Sequence, residues 1–448
     1  MTQRIDFGIV TATISTFRPS GGGIAEHHVV LTCHDGRLPF QPQLDGIMAA
    51  YQAARSGARV GLLERNEKLG KKLYITGKGR CNATNTADLE EFLKQVPRNP
   101  RFLYSALRSF DHSSLVELLE NNGTRMKVER GGRVFPVSDH ASDVTRALTH
   151  CLQNSGVAVF LNCRVNDVIK SEESWLLKTE DKRLFTSSAI IIATGGMSYP
   201  ATGSTGDGYS FCAQMGHYIT PLRGSLVGFE SAEDWPKLLQ GLTLKSVRVS
   251  ARLNHRIVYN EMGEMLFTHF GFSGPLFIEM SSHLPDEWST PEIRLDLKPG
   301  MTEEEVDTRL IRELTANPRR QLGSILSDWL PSRMAPVFTR LCGLEPTKLA
   351  SSITRAERIK LKNGFKALAI ETCGLRPVEE AIVTRGGVDT REVIPQTMMS
   401  RLNPGLFLAG ELLDVDAHTG GFNLQIAFST GALAGKNAAL YALSNRKE

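Results

Sequence analysis

The chain lacks the features of a secreted, disulfide-bonded or membrane-spanning protein. Its seven cysteines are scattered without a Cys-x-x-Cys pair, and their odd number argues against a disulfide framework and a zinc site. No apolar run is long enough to cross a bilayer. Asp6 interrupts the N-terminus where a signal peptide would be apolar. We therefore expect a protein of the reducing cytoplasm that binds neither a metal nor a membrane.

A second absence concerns phosphate binding. A dinucleotide fold needs a strand that runs into Gly-x-Gly-x-x-Gly, because only glycine lets backbone N–H groups approach a pyrophosphate closely. Residues 40–45 contain no glycine, and Pro42 has no N–H to donate. Residues 21–26 resemble the missing loop, but Glu26 replaces its last glycine. We interpret residues 11–45 as an inserted or corrupted stretch within an atypical segment 1–45; a genuine variant loop is the alternative.

Charge is unevenly distributed over the 448 residues, whose net charge is +4. Residues 309–366 contain twelve Lys/Arg and only four Asp/Glu, a surplus of eight positive charges. Such a run is either an ordinary solvated helical surface or a patch that contacts a polyanion such as RNA.

The clearest pattern begins at Gly46. Residues 46–56 are rich in alanine and carry apolar residues at helical spacing, and Gly57 provides a C-terminal stop. Residues 60–63 then predict a short buried strand that ends at Glu64. A carboxylate at the end of the second strand of a β-α-β nucleotide unit hydrogen-bonds a ribose diol. This stretch therefore predicts the second half of such a unit.

A polar segment follows at residues 70–85, which is dense in Gly, Lys, Arg and Asn. Such a loop would be costly inside a fold unless a polar ligand satisfies it. Within it, Cys81 is either a thiol near a reactive ring or a small packing residue. Residues 101–122 then predict one amphipathic helix, and residues 184–193 predict one buried strand that leads to Thr194 and Gly195.

The C-terminal part of the chain carries the most informative motif. An apolar run at residues 406–409 leads to Gly410 and Glu411, and Gly420-Gly421 opens a helix of small and apolar residues. This order predicts a buried strand, a carboxylate at its carboxyl end, and a helix whose free N–H groups face a ligand. The alternative is an ordinary strand-turn-helix that closes an α/β sheet.

Between these parts the pattern changes. Residues 243–254 alternate as in a sheet with one wet face, and helices dominate from residue 302 to about 366. We therefore predict an α/β protein with three parts: a nucleotide-binding domain over 46–199 and 366–448, with an inserted β-rich, then helical, substrate domain over 200–365.

Four motifs in this order resemble a known family. They are residues 77–85, 193–196, 268–275 and the pair 410–414 with 420–425. Together they resemble bacterial flavoproteins known as NAD(P)/FAD-dependent oxidoreductases, a group that includes aminoacetone-oxidase-type enzymes, bile-acid-reductase-like proteins and a ribosomal RNA dihydrouridine synthase. The resemblance implies a two-dinucleotide-binding, glutathione-reductase-like FAD domain with an inserted β-barrel-like plus helical domain.

The same resemblance implies the site residues. Glu64 would bind the adenosine ribose, Val165 the adenine, and Glu411 or Asp414 the ribityl hydroxyls. Cys81 and His269 are the candidate catalytic residues, and a structural turn is the alternative for His269. The implied cofactor-binding set is Gly46, Glu64, Arg65, Lys72, Arg80, Cys81, Asn82, Val165, Thr194, Gly195, Gly206, Asp207, Gly410, Glu411, Asp414, Gly420, Gly421, Phe422, Asn423 and Leu424.

The implied activity is hydride transfer between flavin N5 and a nicotinamide or an organic substrate, with NADH or NADPH as the electron donor. The substrate would be a small molecule or a uridine in ribosomal RNA, and the basic segment 309–366 would contact the RNA. Two alternatives remain. The missing phosphate loop favours an inactive flavoprotein fold that serves as a binding module, and a chain without a nicotinamide site would be an amine or aminoketone oxidase.

Overall fold

The protein divides into two compact units. The computed structural model describes residues 4–6, 28–33, 44–65, 69, 73, 76–172, 174–200, 204–285 and 287–445. One unit comprises Met1–Ser225 and Val378–Glu448, and the other comprises Leu226–Pro377. The sequence placed these boundaries at 200 and 365. They fall later because the strand Arg223–Ser225 pairs with Val383–Arg385 inside the first unit.

The strands are numbered in chain order. They are β1 Arg4–Asp6, β2 His28–Cys33, β3 Arg59–Glu64, β4 Thr84–Asn85, β5 Met126–Glu129, β6 Arg133–Pro136, β7 Ala158–Phe160, β8 Val165–Lys170, β9 Trp175–Thr179, β10 Leu184–Ser187, β11 Ala189–Ile192, β12 Arg223–Ser225, β13 Phe229–Ser231, β14 Thr243–Leu253, β15 Arg256–Phe267, β16 Gly271–Ser273, β17 Glu292–Asp296, β18 Leu368–Ile370, β19 Thr372–Leu375, β20 Val383–Arg385, β21 Val393–Ile394, β22 Met399–Ser400 and β23 Leu406–Leu408.

The α-helices begin with Leu44–Arg55, called the first helix below, and end with Phe422–Ser444, called the last helix. The others are Leu89–Lys94, Tyr104–Ser109, His112–Asn121, Ala141–Asn154, Asp207–Gln214, Trp235–Leu238, Pro275–Ser282, Glu303–Ala316, Leu322–Leu326, Met334–Leu341 and Arg355–Ala367. In the described ranges, none of the helices is long and apolar enough to cross a membrane.

A mostly parallel sheet organises the first unit. Its strand order is β21-β22-β23-β11-β2-β3-β7, and β23, β11, β2, β3 and β7 run parallel to one another. The strand β11 is buried over its whole length, as expected for a strand covered on both faces. A second sheet of order β1-β10-β9-β8 is added to this unit.

The second unit is built on an antiparallel sheet of order β18-β17-β14-β15-β16-β13-β19. Inward-facing side chains of β14 alternate with exposed ones, so Val247, Val249 and Ala251 join a separate hydrophobic core with the helical residues Leu310, Phe338 and Phe365. In this unit the β-rich part precedes the helical part along the chain.

Two local predictions are corrected, and the N-terminal stretch contributes one strand to the parallel sheet. Residues 101–122 form two helices, because the Asp111 side chain accepts from the Ser114 N–H and caps a new helix start. Residues 184–193 form two strands, β10 and β11, that belong to different sheets. The stretch interpreted as inserted or corrupted supplies β2, which lies between β11 and β3 in the parallel sheet. Residues 21–26 lie outside the described ranges.

The first and last helices cross at very short range. A Cβ atom built on Gly431 would lie 2.3 Å from the carbonyl oxygen of Asp45, and one built on Gly435 would lie 2.1 Å from that of Ala49. Contacts below 3 Å are excluded for a real side chain, so only glycine permits this approach. The crossing fixes where the last helix begins.

The crossing gives a stability prediction. We expect Gly435→Ala to lower the free energy of unfolding by about 1–3 kcal/mol, because the methyl group forces two backbones apart. The matched control is Gly300→Ala, where an added Cβ meets nothing within 4 Å. Chemical denaturation of the two variants measures the difference, and equal stabilities would contradict the argument.

Candidate functional site

The carboxyl ends of the parallel strands share one edge of the sheet. Glu64 ends β3, Thr194 follows β11, and Gly410 follows β23. Because these strands run parallel, the three residues lie along the same edge. Ligands of open α/β sheets bind outside this edge, which makes it the candidate site.

The last helix begins at this edge with a pair of glycines. Gly421 is the N-cap residue with φ 100°, and Gly420 has φ 127°, a region that favours glycine. No side chain caps the helix among the described residues. The N–H groups of its first turn therefore carry no side-chain acceptor, as at helix ends that bind anions or polarised ligands.

Asn85 holds the polar segment against this helix start. Asn85 donates from Nδ2 to the carbonyl oxygens of Gly131 and Gly420, each at 3.0 Å. A Cβ on Gly421 would lie 2.4 Å from the carbonyl oxygen of Thr84 and 3.0 Å from Asn82 Oδ1. The segment 82–85 and residues 420–421 are therefore in direct contact, although they are far apart in sequence.

Asn82 itself presents an unsatisfied acceptor. Its Oδ1 atom is buried and has no hydrogen-bond partner in the part of the chain that the structure describes. Buried polar atoms are rarely left unpaired in native proteins. An acceptor beside the open end of a helix is suited to a ligand that has an N–H group next to an electron-rich edge, as a flavin pyrimidine ring does.

Thr194 presents a similar feature after β11. Its Oγ1 atom is buried and makes no hydrogen bond within the described ranges. A Cβ on Gly208 would lie 2.0 Å from this oxygen, so only glycine fits there. Gly206, with φ 83°, caps the helix Asp207–Gln214. The unpaired Thr194 hydroxyl is therefore a second buried polar atom at this edge that is suited to a polar ligand.

Arginines surround the carboxylate of Asp207. Arg65 and Arg164 each bind Asp207 Oδ2, at 3.3 and 3.1 Å. The pKa of Arg65 is lowered to about 9, first by burial and then by the positive charge of Arg164, against the opposing effect of Asp207. Asp207 and Arg65 thus have protein partners, and the neighbouring Glu64 is fully buried.

Glu411 organises the loop after β11. Its Oε1 atom accepts hydrogen bonds from Ser198 Oγ–H at 2.9 Å and from the Thr384 N–H at 2.8 Å. The Thr384 hydroxyl in turn accepts from the N–H groups of Met197 and Ser198. The residue expected to bind the ribityl chain therefore also carries a structural role that the sequence did not predict.

Asp414 belongs to a buried ionic cluster. Arg98 binds its Oδ2 atom at 3.2 Å, while Arg385 lies 3.5 Å from Oδ2 of the fully buried Asp416. The pKa of Asp414 is raised, first by burial and also by the negative charge of Asp416, whereas Arg98 lowers it. The sequence singled out Asp414 alone. Asp416 is two residues further along the chain, in an apolar stretch, so the sequence could have indicated a second buried carboxylate. Nothing in the sequence around Arg385 indicates that it contacts this carboxylate.

Three further predicted residues, Arg80, Cys81 and Val165, pack against other parts of the protein. Arg80 is held by Glu129 at 2.7 Å and stacks over Phe135 at 4.0 Å, so its guanidinium faces a hairpin. Cys81 is fully buried, a placement typical of a packing residue. Its backbone adopts a left-handed conformation with φ 61°. Val165 is buried at the start of the edge strand β8.

The other predicted positions are distributed as follows. Gly46 lies in the first helix, and Gly195 follows Thr194 with φ 69°. Phe422 and Leu424 lie in the first turn of the last helix, where Asn423 donates from Nδ2 to the Ala417 carbonyl at 2.6 Å. His269 is exposed in the turn between β15 and β16 of the second unit. Lys72 lies outside the described residues.

The fold and this edge define a Rossmann-type nucleotide-binding protein. The family model described as "HI0933-like protein Rossmann domain" matches residues 45–437. The chain belongs to this HI0933-like family. The predicted α/β dinucleotide-binding fold and the predicted family are confirmed.

Named relatives extend over nearly the whole chain. It is 32% identical over 400 residues to the "3-dehydro-bile acid delta(4,6)-reductase" of Clostridium scindens, covering 88% of this chain and 96% of that protein. It is 30% identical over 387 residues to the "Ribosomal RNA dihydrouridine synthase" of Escherichia coli, covering 86% and 93%. The "Ribosomal RNA dihydrouridine synthase" of Haemophilus influenzae is 29% identical over 392 residues, covering 86% and 94%. The family is one of FAD-dependent oxidoreductases, as predicted.

The unpaired amide of Asn82 gives a binding prediction. Because Oδ1 has no partner among the described residues, we expect Asn82→Ala to leave the stability of the FAD-free protein unchanged while weakening FAD binding about fivefold, the effect of one lost hydrogen bond. Quenching of flavin fluorescence measures the affinity, and thermal unfolding measures the stability.

The matched control for that prediction is Asn85→Ala. Asn85 donates to two carbonyl groups and accepts from the Ala87 N–H, so its loss should lower stability directly. Should Asn82→Ala instead destabilise the FAD-free protein as much as Asn85→Ala does, Asn82 would be a structural residue.

Proposed function

We propose that the protein is an FAD-dependent reductase that saturates a carbon–carbon double bond conjugated with a carbonyl group. The observation that carries the proposal is the Asn82 amide beside the uncapped start of the last helix. NADH or NADPH supplies the electrons. Two electrons and one proton reach the β-carbon as hydride, a second proton reaches the α-carbon, and the nicotinamide is oxidised.

The ring end of the cofactor site would be built by two segments of this chain. Asn82 would accept from an N–H of the flavin pyrimidine, and the first-turn N–H groups of residues 422–424 would donate to its oxygen. When bound, FAD supplies hydride through N5 of its ring. The positive end of the helix stabilises negative charge on the pyrimidine edge, which favours the reduced cofactor.

The nucleotide end would be formed along the sheet edge. Glu64 would bind the adenosine ribose, and the unpaired Thr194 hydroxyl would bind the nucleotide. Glu411 has one oxygen engaged by Ser198 and Thr384. Glu411 would in addition accept a hydrogen bond from a ribityl hydroxyl, so it would have a structural and a binding role.

The names of the relatives support the substrate class. One acts on a 3-dehydro-bile acid at its delta(4,6) positions, and two form dihydrouridine in ribosomal RNA. In a conjugated 3-ketone and in a uracil ring alike, the double bond is activated by a carbonyl group. A common site that delivers hydride to such a bond would serve both substrates, and uridine in ribosomal RNA is the substrate we propose for this chain.

Charges in the second unit support an RNA substrate only in part. Many cations of segment 309–366 are paired: Arg320 with Asp328, Lys348 with Glu357, and Arg358 with Asp307. Four exposed cations have no ion pair or hydrogen-bond partner among the described residues: Arg319, Arg340, Arg355 and Lys360. Gly343 follows the helix Met334–Leu341, and its N–H donates to the Arg340 carbonyl. Lys360 Nζ lies near Gly343, 3.9 Å from the position that a Cβ on this glycine would take. Arg340 and Lys360 therefore flank one helix end.

The activity is tested without oxygen, with FAD, NADH or NADPH, and ribosomal RNA that lacks dihydrouridine. We expect nicotinamide oxidation to match dihydrouridine formation, measured by the mass increase of the uridine product. A 3-oxo steroid with a conjugated double bond is the comparison substrate. Turnover of the steroid alone would move the proposal to small molecules. Peroxide release with an amine in air, without either reduction, would replace the reductase by an oxidase.

The RNA contact is tested by salt dependence. Each phosphate contact adds roughly 0.7–0.9 to the slope of log affinity against log salt. We therefore expect the double variant Arg340→Ala/Lys360→Ala to lower that slope by about 1.5. The control pair Arg320→Ala/Arg358→Ala removes cations that already bind carboxylates and should change the slope less. Equal slopes in all three proteins would exclude this surface from RNA binding.

A further inference from the structure

A carboxylate stands where the cofactor pyrophosphate is expected. Asp45 lies in the first turn of the first helix and is almost completely buried. Its Oδ1 atom accepts from the Gly46 N–H at 3.1 Å. The first helix follows β2, whose carboxyl end lies at the candidate edge of the sheet, so its N-terminus carries Asp45 toward that edge.

The position of the carboxylate is defined by Gly410. A Cβ built on Gly410 would lie 1.7 Å from Asp45 Oδ2 and 2.4 Å from Cγ. The carboxylate therefore fills the space that a side chain at position 410 would occupy. Gly410 has φ 71° and directly precedes Glu411. The Asp45 carboxylate thus lies between the first turn of the first helix and the Gly410 backbone that follows β23.

The N-terminus of the first helix is where a dinucleotide-binding fold holds phosphate. In dinucleotide-binding folds the pyrophosphate rests on the N-terminus of the first helix, where glycines let backbone N–H groups approach it. Here that helix start holds an acidic side chain, whose charge opposes a diphosphate at short range. At the flavin-ring end of the proposed cofactor site, Asn82 and the last helix suit FAD. At the pyrophosphate end, the site carries the acidic side chain of Asp45.

We propose that Asp45 is a determinant of weak FAD retention, because its carboxylate repels the pyrophosphate of the cofactor. The flavin ring would then contribute most of the affinity and the phosphate groups little. The inference rests on the FAD dependence of the family and not on the substrate or the electron donor proposed above. Its outcome is therefore independent of any reductase assay.

The test compares Asp45→Asn with the parent protein for three ligands. Asn keeps the shape of the side chain and removes the charge. We expect FAD to bind about tenfold more tightly, ADP to compete better for the site, and riboflavin, which has no phosphate, to bind unchanged. Fluorescence quenching gives the affinities of FAD and riboflavin, and displacement of FAD gives that of ADP.

Asp143→Asn is the matched control. Asp143 is another first-turn aspartate of a helix in the same unit, and its substitution should leave all three affinities unchanged. Asp45→Glu keeps the charge and should not tighten FAD binding. Thermal unfolding verifies that each variant is folded, and Asp45→Ala replaces Asp45→Asn if the latter does not fold.

Several results would overturn the inference. Unchanged or weaker FAD binding in folded Asp45→Asn would exclude repulsion. Equal tightening of FAD and riboflavin would indicate a looser pocket and no phosphate effect. The parent protein offers a test without any variant: we expect it to bind FAD no more than about tenfold more tightly than riboflavin. A preference for FAD of a thousandfold or more would contradict weak retention.

Discussion

The close crossing of the first and last helices is the constraint on which the site depends. Added Cβ atoms on Gly431 and Gly435 would fall within 2.3 Å of backbone carbonyl oxygens of the first helix, so no other residue fits at either position. This contact fixes the axis of the last helix relative to the parallel sheet. The helix start at Gly421 and the first-helix residue Asp45 therefore take fixed positions at the same sheet edge.

Local signals in the sequence were sufficient for the parts of the site that one segment builds. Gly420-Gly421 predicted a helix start, Glu64 a strand end, and Gly410-Glu411 a carboxylate after a buried strand, and the structure has each of these features. The contact of Asp45 with Gly410 joins residues hundreds of positions apart and carries no local signal. The Thr384 hydrogen bonds to the loop after β11 were missed for the same reason.

The residue types in the sequence predicted correctly that the site is polar, but they did not predict which polar side chains have partners within the protein. Arg80, Asp207 and Glu411 were expected to face the cofactor, yet each forms ion pairs or hydrogen bonds within the protein. Asn82 and Thr194 instead retain a buried atom with no partner in the described ranges. Because burying an unpaired polar atom is costly, these two side chains carry more information about a ligand than the charged residues do.

The two ends of the cofactor site cannot adjust to each other freely. Moving the Asp45 carboxylate away from the phosphate position would require rotation of its side chain or displacement of the first helix. Rotation is restricted because the side chain is buried against Gly410, and displacement is restricted because Gly431 packs on the Asp45 carbonyl itself. The same contact that places the last helix for flavin binding therefore holds the acid in place. Within such a framework, the charge of Asp45 can be removed by substitution but not by local rearrangement, which is the reason we propose that this single position controls the affinity for the phosphate half of the cofactor.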